Sequence, residues 1–156
     1  MTGMSQVSEI AFTIAAPPRA VLDHLSDPRS YVGLSPLVVE VRDIRADADG
    51  VVHYIAVERF RFLGSLRYDN AIRVTIRGEA SGDGGWVGGD VDSPGGVTLR
   101  YGYTVVPDGA GRTAVTDRIK VAAPLGLRRF SIRRASEVQA ARARILAERL
   151  DAPLAR

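Results

Sequence analysis

Tyr54, Glu58, Tyr68, Asn70, Tyr101, Tyr103 and Asp117 are polar residues spaced so that they share strand faces with Phe, Ile, Leu and Val. Side chains alternate across a strand, so residues two apart look the same way. Over Val51 to Leu63 one face collects Val52, Tyr54, Ala56, Glu58, Phe60 and Phe62, and the other collects His53, Val57, Arg59 and Arg61. The aromatic face is the expected interior one. In the next strand Leu66, Tyr68, Asn70, Ile72, Val74 and Ile76 are expected inside, with Arg67, Asp69, Arg73 and Arg77 facing water. Later, Val97, Leu99, Tyr101, Tyr103 and Val105 pair with Thr113, Val115, Asp117, Ile119 and Val121. Buried charge is costly unless it is paired. Two chemistries fit such a set. The groups pair internally, for example Glu58 or Asp117 with an arginine, and do nothing else. Alternatively they orient the polar end of a ligand in an otherwise apolar pocket, as small-molecule sites commonly do.

The cation for either reading comes from the segment Leu127 to Leu150, the longest run that reads as one helix. It holds no glycine or proline and is rich in Ala, Arg, Leu and Glu, all good helix formers. Pro124 and Gly126 mark its start and Pro153 lies just past its end. On a 3.6-residue wheel Leu127, Ser131, Ala135, Val138, Ala141 and Ile145 form one stripe. Arg134 falls within that stripe and Arg142 on its shoulder. Arg134 is therefore expected to point inward, held by Glu58, Asp117 or an anionic ligand group, because arginine keeps its proton and needs an acceptor when buried.

Other chemistries are poorly supported. The chain has no cysteine, which excludes disulfides, thiolate metal sites and cysteine nucleophiles. His24 and His53 share no metal-ligand spacing, Asp90 and Asp92 make no calcium loop, and no Ser has a triad pattern. No Lys-Ser or Lys-Thr follows Gly82-Asp83-Gly84-Gly85, so it is not a phosphate loop. No metal or cofactor is expected. Arg128, Arg129, Arg133 and Arg144 are read as a solvated helix face diluted by Glu137, Glu148 and alanines, with a protein partner left open and no nucleic acid expected. The formal net charge of +3 is too small to argue for nucleic acid by itself, although Lys120 is the only lysine among 21 basic residues.

The elements that must position these groups follow from turn chemistry. Val7 to Ile14 reads as a strand, and Pro17-Pro18 opens a short helix through Leu25. Asp27 is placed to cap a second short helix through Tyr31, and Gly33 to Pro36 turns. Strands follow at Leu37 to Arg45, Val51 to Leu63, Leu66 to Arg77, Trp86 to Val91, Val97 to Val106 and Arg112 to Ala122. Gly78 to Gly85 reads as a loop, its Gly82-Asp83-Gly84-Gly85 stretch either lying over a cavity mouth or forming a plain hairpin, and Trp86, the only tryptophan, would report on ligand if it lay near the mouth. The order is strand, two helices, six strands, helix, an α+β domain with a meandering antiparallel sheet. A length of 156 residues suits one domain, 1–156, and no run is long and apolar enough to span a membrane. Met1 to Glu9 has no signal-peptide pattern, so a cytoplasmic location is the default.

The opening residues Ile14, Pro17 or Pro18, Val21-Leu22, Leu25, Asp27-Pro28, Tyr31, Pro36 and Val38 resemble a known pattern. So does Leu99-Arg100-Tyr101-Gly102-Tyr103-Thr104-Val105 followed by Gly111-Arg112-Thr113. Together they resemble the SRPBCC superfamily, also called START-like or helix-grip proteins, which includes polyketide cyclases and dehydrases. A tryptophan often found before the Pro36 position is Leu34 here. The resemblance implies a seven-stranded antiparallel sheet wrapped round the long C-terminal helix, with two short helices after the first strand. It also implies a deep cavity between sheet and helix that takes hydrophobic or aromatic small molecules. The expected ligand contacts are Tyr54, Glu58, Phe60, Tyr68, Asn70, Tyr101, Tyr103, Asp117, Arg134 and Val138. A binding or carrier protein is the first expectation, because no interior histidine is on offer as a dedicated base. The alternative is an aromatase/cyclase-type enzyme in which a cavity carboxylate or tyrosine moves protons. A coenzyme-Q-binding or ribosome-associated relative is a third.

Overall fold

The structure is a computed structural model that describes residues 5–151, apart from the side chain of Phe62. Pro153 as a helix stop and the interior placing of Phe62 therefore lie outside what is described. Strand β1 (Gln6–Ile14) leads to helix α1 (Pro18–Ser26), a 3-10 turn at Pro28–Ser30 and the single turn α2 (Tyr31–Leu34). Six strands follow: β2 (Val38–Ala46), β3 (Val52–Phe62), β4 (Leu66–Ser81), β5 (Gly84–Ser93), β6 (Val97–Pro107) and β7 (Thr113–Ala122). A 3-10 turn at Leu125–Leu127 then runs into helix α3 (Arg128–Leu150). The seven strands form one antiparallel sheet in the order β1-β7-β6-β5-β4-β3-β2. β1 and β2 are thus the two edges, and α1 and α2 carry the chain from one edge to the other.

Local chemistry sets the boundaries. Pro18 occupies the first turn of α1, where a missing N–H is harmless. The Asp27 carboxylate accepts from the Arg29 N–H at 3.0 Å, which caps the 3-10 turn. In the β2–β3 hairpin, Asp47 Oδ1 accepts from the N–H groups of Asp49 and Val51 at 2.9 and 3.1 Å, with Gly50 at φ 80°.

The stretch 78–85 is where the structure departs most from the sequence reading. β4 runs on to Ser81 and β5 starts at Gly84, so this segment is a tight hairpin rather than a loop over the cavity. It packs against α1 at the end of the sheet away from the mouth: a Cβ at Gly85 would lie 2.9 Å from Leu22 Cδ2. Glycines that read as loop signals instead let backbones approach closely inside a bent sheet. Between Val74/Val91 and Arg77/Gly88 the β4–β5 ladder opens. There the Asp90 N–H donates to Thr75 Oγ1 at 2.9 Å, and a side chain at Gly89 would strike the Thr75 carbonyl.

The concave face carries the core. Ile14, Val21, Leu25, Leu34, Ile76, Val87, Val105, Val115, Ile119 and Leu146 have essentially no exposure. α3 lies on β1 and β7, and its buried positions are Gln139, Arg142 and Leu146. The stripe is therefore turned by about one residue from the apolar one read on the wheel. Polar contacts make that rotation possible. Gln139 donates to the Asp117 carbonyl at 2.9 Å, and Ser8 donates to Gln139 Oε1 at 2.8 Å. The C-terminal end of α3 is fixed by Arg149, which donates to the carbonyls of Ser30 and Val32 at 2.6 and 3.0 Å. Asp151 adds a bond from the Ala15 N–H at 2.9 Å. The N-terminal half of α3 extends over the open end of the sheet.

Candidate functional site

Between the concave face and α3 lies a cavity of about 550 Å³. Of the ten residues expected to meet a ligand, Tyr54, Glu58, Phe60, Tyr68, Asn70, Tyr101, Arg134 and Val138 line it. They come together because strands β3, β4 and β6 each present alternate residues to one face, and α3 covers that face. Tyr103 and Asp117 do not line it. Both face the concave side as expected, but they are sealed behind Arg142, with exposures of 1% and 0%.

The inner end of the cavity is built from Tyr31, Tyr54, Tyr101 and Arg142. Arg142 Nη2 donates to Asp117 Oδ2 at 3.2 Å, and the guanidinium lies 5.3 Å from the centre of the Tyr103 ring. This pair is the buried one, in place of the expected Arg134. The helix rotation explains it: Arg142 is central on the buried stripe and Arg134 is at its edge. Burial pushes the Asp117 carboxyl up, while the Arg142 charge and the Gln139 side chain pull it down. Arg142 remains a cation, and its buried Nε has no hydrogen-bond partner among the described residues. The Tyr101 hydroxyl is committed to the Thr75 carbonyl at 2.8 Å, and that of Tyr31 to the Leu25 carbonyl at 2.8 Å. Tyr54, which is 4% exposed and faces the cavity, makes no side-chain hydrogen bond among the described residues. Burial holds all these phenols above the ordinary tyrosine value, so each is a neutral donor at physiological pH.

Nearer the mouth the walls carry Glu58, Asn70, Ser93 and Arg134. Asn70 Nδ2 donates to Ser93 Oγ at 3.3 Å. Arg134 is only half-buried. It sits between the rings of Phe60 and Phe130, 5.7 and 5.3 Å from their centres, and reaches Glu137 at 3.6 Å. It lines the cavity as expected, but neither Glu58 nor Asp117 forms an ion pair with it. Burial raises the Glu58 carboxyl, with Asn70 and Arg134 opposing.

That shift has a testable sign. A carboxyl raised by folding binds more protons folded than unfolded, so stability falls as pH rises from its ordinary value of 4.5 through the raised one. Glu58→Gln, a neutral isostere, is expected to melt at or above the wild type at neutral pH, with the difference vanishing near pH 4. A melting series across that range checks it. A variant less stable at neutral pH would mean the Glu58 charge is fully compensated.

Arg142 and Tyr31 are site residues that the sequence reading did not select. For Arg142 the signal was its position beside the stripe; for Tyr31 it was the aromatic following the Asp27-Pro28 cap. Trp86 lies on the convex face, over Gly88 and Gly102, where a Cβ at Gly102 would be 2.8 Å from the indole Nε1. It is remote from the mouth. His24 and His53 are also apart from the cavity; His53 Nε2 is 2.9 Å from Asp47 Oδ2 at the β2–β3 turn. Among the described residues no cluster of His, Cys, Asp and Glu fits a metal ion, and no helix is long and apolar enough to cross a membrane.

No family model and no curated protein matches the chain. Solved structures do. The Zhui aromatase/cyclase from Streptomyces sp. R1128 aligns with a TM-score of 0.76 at 14% identity, over 94% of this chain and 94% of that one. A START superfamily protein from Mycobacterium smegmatis aligns at 0.71 and 14% identity, over 92% and 96% of the two chains. Norcoclaurine synthase from Thalictrum flavum, in complex with dopamine and hydroxybenzaldehyde, aligns at 0.59 and 14% identity, over 94% and 87%. At such identities the likeness is one of fold, and that fold is the START-like helix grip.

Proposed function

We propose, with the START-like helix-grip fold as premise, that residues 1–156 form one domain that binds a hydrophobic or aromatic small molecule between sheet and α3. The observation that carries this reading is the cavity itself: about 550 Å³, walled mainly by apolar and aromatic side chains, with a permanently charged Arg142 at its inner end. A volume of that order suits a ligand of drug-like size, and few convergent polar groups suffice to orient it. Val138, Phe60 and Tyr68 supply apolar contact. Tyr54 offers a free hydroxyl to an acceptor at the deep end of the ligand, beside the Arg142 charge. Asn70, Glu58 and Arg134 meet whatever polar group lies toward the mouth, while Asp117 and Tyr103 act from behind by holding Arg142.

An anionic aromatic dye such as 1-anilinonaphthalene-8-sulfonate tests this. Saturable binding of one dye per chain, with enhanced emission and displacement by uncharged polycyclic aromatics, is expected. Non-saturable emission that no aromatic competitor displaces would count against it.

One observation favours an enzymatic second reading: Glu58 is a cavity carboxyl whose hold on its proton is strengthened by burial, as a general acid or base in an apolar site requires. The fold likeness to an aromatase/cyclase is compatible with it. Glu58→Gln would then abolish cyclisation of a polyketone chain while the cavity still binds dye. A non-catalytic binder shows no cyclisation in either the wild type or the variant.

A further inference from the structure

We propose that the rim of the cavity mouth docks on a membrane surface that carries anionic lipid, whatever molecule fills the cavity. Large apolar side chains are exposed together there. Leu63 is 91% exposed and Leu125 81%, with Leu66, Tyr68, Phe130 and Leu127 between 41% and 59%. They belong to two elements that meet at the mouth. Tyr68 pairs with Phe60 across β3–β4, and Arg134 sits between the Phe60 and Phe130 rings, which joins that hairpin to the start of α3. Tyr68, Leu127 and Phe130 also line the cavity, so the patch surrounds its opening.

Leu63 is odd in a second way. Its φ of 48° puts a leucine in the left-handed region, where glycine or asparagine is preferred, at the tip of a hairpin facing water. Neither folding nor solubility accounts for an apolar side chain held there.

On these two elements the exposed charges that lack an ion pair among the described residues are arginines. Arg61 and Arg67 are directly opposite one another, one pair back from the residues that close the hairpin. Like charges so placed disfavour the sheet. Arg128, Arg129 and Arg133 follow on the first turns of α3. None of these five forms an ion pair among the described residues, while the nearby acids Asp69 and Glu137 are taken by Arg59 and Arg134. Apolar tips flanked by unpaired arginines match a bilayer: the leucines reach the acyl region and the guanidiniums sit among anionic headgroups. An acidic protein would satisfy the arginines but gives no role to leucines at the outermost points.

Vesicle sedimentation tests the proposal with phosphatidylcholine alone and with roughly 30% phosphatidylglycerol added. The wild type is expected to bind the anionic vesicles only, and to be released by about 0.5 M NaCl. Arg61→Glu/Arg67→Glu should weaken binding by more than ~10-fold. Leu63→Asn should weaken it by ~10-fold while melting no lower than the wild type, since asparagine accepts the left-handed backbone. Arg112→Glu, at the β6–β7 turn, makes a single charge reversal away from the mouth and should leave binding nearly unchanged. Equal binding to both vesicles, loss in Arg112→Glu as large as in the double variant, or no effect of Leu63→Asn would overturn the proposal. The last result, with the arginines still required, would reduce the contact to electrostatic adsorption on anionic headgroups, without the apolar insertion proposed. Dye binding in the cavity is read separately, so either proposal can fail alone.

Discussion

Arg142→Met is expected to destabilise the fold by about 3–5 kcal/mol, because it strands the Asp117 carboxylate with no cation in a site of 0% exposure. In a domain of this size that is a fall in melting temperature of roughly 6–20 °C. Arg134→Met is the comparison. Its guanidinium is partly solvated and gains mainly from the faces of Phe60 and Phe130, so a loss of about 1 kcal/mol is expected. The Arg142→Met deficit also has a pH signature. Without the guanidinium, burial raises Asp117 further, so the penalty grows as pH rises through that raised value and shrinks as pH falls toward the ordinary carboxylate range. Adding Asp117→Leu removes the stranded charge and should restore much of the stability. Thermal melts of the two single variants and the double variant from pH 4 to 8 check all of this. Equal melting points for Arg142→Met and Arg134→Met would mean that the buried pair contributes nothing.

That comparison marks the limit of what the sequence could specify. Strand alternation placed Tyr54, Glu58, Asn70 and Asp117 on the concave face, because a period of two leaves only two choices per strand. A helix offers a continuum of rotations. Reading α3 by its apolar residues favoured Ala141 and Ile145, but the buried positions are Gln139, Arg142 and Leu146. The deciding contacts run from Gln139 to Ser8 and the Asp117 carbonyl, across more than a hundred residues in one case, and leave no local pattern. The depth of a polar residue was equally illegible. Tyr103 and Asp117 share a face with Tyr101, yet only Tyr101 reaches the cavity, because Arg142 fills the space in front of the other two.

The strand order and edges were legible because turn residues recur between alternating runs. The exception, 78–85, follows from reading glycine as a loop signal. Gly84, Gly85, Gly88 and Gly89 sit within β5, at a bend where side chains would meet backbone. The same glycines put Trp86 on the convex face, since Gly88 and Gly102 open a slot for the indole there. A sequence shows that a glycine is present, but which neighbour approaches it is a property of the closed sheet.

Filling the cavity should separate ligand binding from folding by the largest margin. Ala135 lies on α3 and lines the cavity opposite the aromatic wall, whereas Ala140 is exposed on the outer side of the same helix. A tryptophan buries roughly 150–250 Å². At Ala135 it would project into a space of about 550 Å³ and take the volume a ligand needs. Ala135→Trp is expected to weaken dye binding by about 100-fold, which corresponds to ~3 kcal/mol. Stability should hold or rise, because apolar walls gain contacts they lacked. Ala140→Trp has similar helix propensity and no access to the cavity, so it should bind dye like the wild type. Isothermal titration alongside melting curves distinguishes the cases. If Ala135→Trp binds as tightly as Ala140→Trp, the dye lies elsewhere and the cavity is not the binding site. If it fails to bind and also melts several degrees lower, overpacking has distorted the site, and the smaller Ala135→Leu then supplies the test. With stability retained, its affinity should fall between those of the wild type and the tryptophan variant if the ligand occupies this volume.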